Sequence, residues 1–297
     1  MQSVTAIVPC STSNLGSGFD TLGLALSLHN RVTVMRAAEA GVTLTGFTAG
    51  DPAASAIGMC CIEAVDEFFR VVKLPSFGIE VSMSTEIPIA RGLGFSATLR
   101  AGIVGALNEL SGAKLLPEAL VDLVTQLEGH PDNASPSILG GFTVSGVVNK
   151  ETCCLRFDVD PNLKAVTLIP DFHVRTEMAR ELMPKQFSKS DAAHALNRSA
   201  LIVAAFASRN YEALRGVFDD RFHQPYRLKL VPQLDRVIAA GVAAGAIGGF
   251  LSGSGSSIIC LTLRNPDEVA AAMQSELRDS EVKILAPENE GLRVETP

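Results

Sequence analysis

Pro88-Ile89-Ala90-Arg91-Gly92-Leu93-Gly94-Phe95-Ser96-Ala97-Thr98 follows a segment in which Phe77, Ile79, Val81 and Met83 alternate with polar or small residues, and it runs into an Ala-rich stretch through Leu110. Alternation with period two marks a half-buried strand, so the segment reads as strand, glycine loop and helix N-terminus. Gly92 and Gly94 lack a Cβ and let the backbone approach a ligand. The first amides of the helix are unpaired donors at the positive end of its dipole, where a phosphate is stabilised. A hydroxyl at Ser96, in the first turn, suits the Mg²⁺ that accompanies a nucleotide. No Gly-Lys-Ser/Thr follows, so this is not a Walker loop. A tight turn capped by Ser96 explains the same residues equally well, and the segment alone does not decide between the two.

Outward from this loop, strands and helices alternate. Val4 to Pro9 is a short apolar run expected to be a strand ending at Pro. Cys61, Val65, Phe68 and Val72 share one face of a helix that stops near Pro75. Pro117 and Glu118 open another helix, with Leu120, Leu123, Val124 and Leu127 at helical spacing and Gly129 closing it. Leu155, Phe157 and Val159 alternate as a strand before Asp160-Pro161, where the spacing predicts a boundary between domains at 1–160 and 161–297. A chain of 297 residues buries about 75% of its unfolded surface and tends to split its core, which favours two domains.

Three further segments are rich in polar or small residues. Glu128-Gly129-His130-Pro131-Asp132-Asn133 lies at a helix C-terminus, where a carboxylate opposes the dipole, so Glu128 needs another partner. A bound cation is one, and an exposed Glu before an Asn/Asp turn is the simpler reading. Ser11-Thr12-Ser13-Asn14-Leu15-Gly16-Ser17-Gly18-Phe19-Asp20 reads as a polar loop after the first strand. Gly248-Gly249-Phe250-Leu251-Ser252-Gly253-Ser254-Gly255-Ser256-Ser257 is a second glycine loop, or a hairpin, ahead of the apolar run Ile258 to Leu263. Thr176 and Arg180, four residues apart on one helix face, and Arg227 in Gln224-Pro225-Tyr226-Arg227 stand alone and read by default as surface residues.

Composition narrows the classes of function. Lys and Arg number 25 against 32 Asp and Glu, a net charge of −7, with no Trp and 5% aromatics, which leaves little for gripping phosphate backbones or stacking bases. Nucleic acid is not an expected partner. The six cysteines include two vicinal pairs and no C-x-x-C, so neither a zinc site nor a disulfide framework is expected and a reducing cytoplasm fits. Met1-Gln2-Ser3-Val4-Thr5 lacks a basic start leading into an apolar run, so no signal peptide is expected. Val237 to Leu263 carries no charge, yet GGFLSGSGSS falls where a membrane helix should be most apolar, which argues for a buried helix, loop and strand.

Taken together and in this order, the segments resemble the GHMP kinases. PCSTSNLGSGFDTLGLAL, P-x-x-x-G-L-G-x-S-A-T and GGFLSGSGSS are similar to the three family motifs, over roughly residues 5 to 295. STSNLGSGFDTLG with EGHPDN and ILGGF brings the match nearest the homoserine kinases of that family. The resemblance implies an α+β fold of two domains, the first like the second domain of a ribosomal small-subunit protein with a left-handed βαβ crossover, the second ferredoxin-like. It implies ATP and Mg²⁺, with the nucleotide on Pro88 through Thr98 and on Gly253 and Gly255, and with Ser96 and Glu128 as metal ligands. It implies L-homoserine as acceptor, held by Asn14, Asp20, His130, Asn133, Thr176, Arg180 and Arg227, with Asn133 orienting the reacting hydroxyl. Asp20 suits an α-ammonium and the two arginines an α-carboxylate.

The implied product is O-phospho-L-homoserine for threonine synthesis, made in the cytoplasm by an enzyme expected to be a homodimer and to touch no membrane. Two departures stand out: Phe95 replaces a serine usual in relatives, and Ser256-Ser257 stands where Pro or Thr is usual. A kinase for another small alcohol and a catalytically silent sensor on the same scaffold are the alternatives. The charged set Asp20, Arg180 and Arg227 argues against the first, and the retained Ser96 and Glu128 against the second.

Overall fold

The computed structural model describes residues 2–46 and 52–296. β1 (Ser3–Asn14) and β2 (Gly18–Ala37) form a long antiparallel hairpin, the spine of a seven-stranded sheet. β1 does not end at Pro9 as expected. Pro cannot donate to the ladder, and the register shifts between Pro9 and Cys10, so the strand passes the proline through an irregularity and runs on to Asn14. Ser11, Thr12, Ser13 and Asn14 are therefore buried strand residues rather than a solvated loop.

β3 (Val42–Thr45), α1 (Pro52–Val72) and β4 (Gly78–Thr85) make a βαβ unit whose strands pair in parallel, and β4 pairs antiparallel with β2. α2 (Phe95–Ser111), α3 (Pro117–Glu128) and α4 (Pro131–Leu139) follow, and then β5 (Phe142–Val148) and β6 (Glu151–Phe157) extend the sheet from β2. The strand predicted through Val159 stops at Phe157. Val4, Val8, Val32, Val34, Ile79 and Val81 from the sheet pack on Phe68, Leu99, Ile103 and Leu107 from the helices.

The chain then builds β7 (Lys164–Pro170), α5 (Thr176–Glu181), α6 (Lys189–Ala207), α7 (Gln224–Arg227), α8 (Leu234–Ala243), β8 (Gly248–Leu251), β9 (Ile258–Thr262), α9 (Pro266–Glu276) and β10 (Ser280–Leu285). The second sheet has the order β10-β7-β9-β8, antiparallel throughout, the arrangement of a ferredoxin-like β-α-β-β-α-β unit. Val237, Val269 and Met273 cover one face of it. Its other face shares a core with the first sheet, where Leu22, Leu24 and Leu26 meet Phe250, Ile259 and Leu261, and Phe142 stacks on Phe206 at 4.1 Å. β11 (Arg293–Glu295) returns to pair with β1. The fold is α+β.

The uncharged run Val237 to Leu263 resolves into most of α8, then β8 and β9. Among the described residues no helix is long and apolar enough to cross a membrane.

Candidate active site

A cavity of about 540 Å³ is lined by the loop at 88–98 expected to hold phosphate, the end of β1 and the start of β2, residues of α1, the end of α3, the start of α4, and residues of α5 and α7. Gly94 stands at the N-cap of α2 with φ 70°, and Gly92 has φ 76°. A Cβ on Gly92 would lie 2.1 Å from the Ser252 carbonyl oxygen, so only glycine fits where the loop rests on the β8–β9 connection. That connection buttresses the loop. The Ser252 hydroxyl donates to the Gly92 carbonyl at 2.6 Å, and the Ser257 amide donates to the Arg91 carbonyl at 3.1 Å. Gly248 to Leu251, read as part of a glycine loop, is strand β8, and the loop is confined to Ser252–Ser257.

Of the residues expected to hold nucleotide, Ile89 through Gly92, Gly94, Phe95, Ser96 and Gly253 line the cavity. Pro88, Leu93, Ala97, Thr98 and Gly255 do not. Thr98 is fully buried, and its Oγ1 accepts from Asn30 Nδ2 at 2.7 Å and donates to the Phe95 carbonyl. At the other end of the cavity Ile57, Cys60, Phe95, Leu99 and Leu127 make an apolar wall.

Ser96 does not cap α2, since the N-cap is Gly94 and the hydroxyl reaches elsewhere. Its Oγ donates to Glu128 Oε2 at 2.9 Å. The Glu128 side chain is 7% exposed, so the reading of it as an exposed turn residue does not hold. Its opposition to the α3 dipole is offset by Arg100, which pairs with Glu128 and with Glu63 at 2.7 Å. Burial opposes the Arg100 charge, but the Glu128 carboxylate outweighs it and raises the pKa. A hydroxyl and a carboxylate oxygen 2.9 Å apart are the hard-oxygen donors that Mg²⁺ takes, so the residues present fit that ion.

α4 carries the next group. A Cβ on Gly23 would meet the Asp132 carbonyl at 2.1 Å and the Pro136 ring, so α4 lies hard against β2 and its first turn is fixed. His130 Nδ1 is 2.6 Å from Asp132 Oδ1. Burial disfavours the imidazolium, but the Asp132 hydrogen bond and the Asp132 and Asp20 charges prevail and raise its pKa. Asn133 Nδ2 donates to Ser11 Oγ at 2.9 Å, which commits the amide nitrogen and leaves Oδ1 as an acceptor.

Asn14, Leu15 and Asp20 all have positive φ, a conformation that costs about 1–2 kcal/mol for each non-glycine residue and that clusters at functional sites. Asn14 Oδ1 accepts from the Asp20 amide at 3.1 Å. Arg180 forms a bidentate pair with Asp20, at 3.0 and 2.7 Å, and these bonds raise its pKa. Thr176, one turn earlier on α5, lines the same cavity. Arg227 is only 2% exposed and has no carboxylate within salt-bridge distance among the described residues. Its Nη1 donates to the Gly253 carbonyl at 2.7 Å, its Nε has no partner, and burial followed by the Arg180 charge draws its pKa down to about 10.

The structure thus brings Asn14, Asp20, Ser96, Glu128, His130, Asn133, Thr176, Arg180 and Arg227 around one cavity. Sequence reasoning missed Arg100, Glu63, Asp132 and His223. Two of these carried a signal: Arg100 follows Ser96, and His223 precedes Arg227, by one helical turn each.

The family models "GHMP kinases N terminal domain" and "GHMP kinases C terminal" match residues 59–141 and 201–279. A homoserine kinase of Caldicellulosiruptor bescii is 36% identical over 98% of this chain and 96% of its own length. One of Moorella thermoacetica is 36% identical over 96% and 97%. The crystal structure of a homoserine kinase from Cytophaga hutchinsonii superposes with a TM-score of 0.90 at 26% identity, covering 99% of this chain and 98% of that one. The Methanococcus jannaschii mevalonate kinase, at 16% identity, TM-score 0.69 and 95% and 98% coverage, shares the fold. On the two family models and the full-length relatives, the chain belongs to the GHMP kinase family.

Proposed function

We propose that the chain acts as a homoserine kinase, transferring the γ-phosphoryl group of ATP to the side-chain hydroxyl of L-homoserine to give O-phospho-L-homoserine for threonine synthesis. The observation that carries this reading is Arg227, a buried guanidinium with an unpartnered Nε and no carboxylate of its own, set in one cavity with Asp20. A buried cation lacking a counter-ion is costly, and an acceptor that brings a carboxylate to Arg227 satisfies it, while its ammonium takes Asp20 over from Arg180. Full-length relatives named homoserine kinase support the same substrate.

Residues of the chain account for the transfer by holding and neutralising. The amides at the start of α2 receive phosphate oxygens, and Arg100 adds a positive charge beside them. Ser96 and Glu128 would hold Mg²⁺, which supplies charge neutralisation between the phosphates when bound. Asn133 Oδ1 accepts a hydrogen bond from the acceptor hydroxyl and so aims an oxygen lone pair at phosphorus, and the hydroxyl proton passes to the transferred phosphoryl group or to solvent as the new P–O bond forms and the bond to ADP breaks. The phosphoryl transition state is loose, so orientation and charge stabilisation supply most of the acceleration and no strong base is required. Residues 1–160 contribute the phosphate loop and Asn133, and residues 161–297 contribute Arg180 and Arg227. On this reading the enzyme works in the cytoplasm on small molecules rather than on nucleic acid or membrane, and a homodimer is what the resemblance implies.

The deciding experiment is a coupled ADP-release assay across homoserine, serine, shikimate, mevalonate and galactose, with and without Mg²⁺. Homoserine should give the highest kcat/KM. A preference for galactose would sink the reading.

A further inference from the structure

A guanidinium with no carboxylate partner must be aimed by something else, and the residue one turn before it does so. His223 precedes the single turn of α7 and is wholly buried. Its imidazole is wedged between two atoms of opposite kind. Nε2 lies 2.7 Å from the Gly16 carbonyl oxygen, which only accepts, so Nε2 carries the proton. Nδ1 lies 3.1 Å from Arg227 Nη1, which only donates, so Nδ1 presents its lone pair. The neutral Nε2–H tautomer alone satisfies both contacts.

Asp220 fixes the turn on which this depends. Its carboxylate accepts the amides of Phe222, His223 and Gln224, each at 2.8 Å, and the Ser17 hydroxyl at 3.1 Å. Its Oδ2 stands 3.5 Å from His223 Nε2, and Phe19 packs near the ring. Burial first, and the Arg227 charge with it, push the His223 pKa down to about 4 against the pull of Asp220 and Asp20. The ring is neutral at physiological pH. A second ring N–H would face the guanidinium and break the contact.

Arg227 Nη1 is then fully used, by His223 Nδ1 and by the Gly253 carbonyl. Among the described residues Nη2 has a hydrogen-bond partner only in the Met183 sulfur and Nε has none, so the Nε–Nη2 fork is the part left for an anion. We infer that His223 is a positioning residue for acceptor recognition: with its tautomer set by the Gly16 carbonyl, it holds Arg227 so that the free fork meets the substrate carboxylate. The inference rests on homoserine as the acceptor.

Two isosteric variants separate this role from a merely structural one. Asn places an oxygen where Nδ1 was and keeps the acceptor for Arg227, whereas Gln places an amide nitrogen near Nε2 and keeps only the tie to Gly16. His223→Asn should leave the homoserine KM within about threefold of wild type and His223→Gln should raise it about tenfold or more, with kcat and the ATP KM little changed in both. On 3-aminopropan-1-ol, which has the hydroxyl and ammonium but no carboxylate, the two variants should be alike. Equal homoserine KM values, the reverse order, or the same difference on 3-aminopropan-1-ol would overturn the inference. Nitrogen-15 NMR of histidine-labelled wild type supplies an arm that needs no variant: one neutral ring should hold the Nε2–H tautomer from pH 5 to 8. An Nδ1–H tautomer or a charged ring at that site overturns the role even where neither variant folds. A wild type inactive on homoserine but active on another panel member overturns the substrate reading instead.

Discussion

Arg180 closes a bidentate pair onto Asp20 across 160 residues of chain, so two side chains proposed for opposite ends of the substrate neutralise each other. On the proposed reading homoserine, which carries both charges, would replace that pair with two of its own. An uncharged alcohol has nothing to offer in exchange. The pair ties α5 to β2, and on the proposed reading it would also favour a zwitterion.

Asp20→Asn should therefore weaken recognition of the ammonium specifically. We expect kcat/KM for homoserine to fall by about 1.5–3 kcal/mol, the worth of a charged hydrogen bond. The value for 4-hydroxybutyrate, which lacks the ammonium, should change little. Parallel losses on both acceptors would remove Asp20 from that role.

Glu128→Gln tests the joint between the phosphate loop and α3. Gln is a poor ligand for Mg²⁺, so kcat should fall strongly and Mg·ATP binding, followed calorimetrically, should weaken. Because Arg100 then loses a charged partner in a half-buried setting, unfolding stability should also fall by about 1.5–3 kcal/mol. Loss of stability with unchanged kcat and nucleotide affinity would make Glu128 an ion-pair residue alone.

Arg227 and Asn133 should separate kinetically. Arg227 is proposed to grip the substrate carboxylate, away from the bond being broken, so its contribution should be similar in ground and transition states. Arg227→Ala should raise the homoserine KM, by about 1.5–3 kcal/mol in kcat/KM, with a modest fall in kcat. Asn133 is proposed to aim the reacting hydroxyl, so Asn133→Ala should mainly lower kcat. Steady-state kinetics with melting temperatures for both variants provide the check.

Two histidines give the stability a pH dependence with opposed signs. The pKa of His130 is raised by folding, so its contribution is fully present below 6.5 and is lost as pH rises through the folded value. For His223, lowered from 6.5 to about 4, the unfolded chain takes the proton first, so stability falls as pH drops through that interval. Asp132→Asn should flatten the alkaline decline in melting temperature, and His223→Asn the acid one. Profiles from pH 4 to 8 for the two variants and wild type would expose either assignment as wrong if the slopes did not move.

The phosphate loop was legible because its chemistry is local: strand, glycines and helix start are consecutive in the chain. The helix ahead of Glu128 was legible for the same reason, with Pro117 at its start and Gly129 at its end. β8 was not. Gly248 and Gly249 look like loop residues, yet they sit in a strand because Phe218 and the Cys260 sulfur fill the space that side chains would take. The burial of Ser11 to Asn14 was equally hidden, since their partners Asn133, Ser137, Ser252 and Gly253 are more than a hundred residues away. The pairings Asp20–Arg180 and Glu128–Arg100 depend on distant contacts too, and residue type alone could not supply them.

The pairing of β11 with β1 has a consequence for how the molecule is made. Thr5, Ala6 and Ile7 find their partners in Glu295, Val294 and Arg293, so this border of the first sheet stays open during synthesis until residues 293–295, nearly three hundred positions later, have left the ribosome. The opening hairpin can form early, but its outer border exposes free amides and carbonyls meanwhile, a template for pairing with another nascent chain. β11 is thus a late seal on the hairpin, and the interval before it arrives is a vulnerable one for that border.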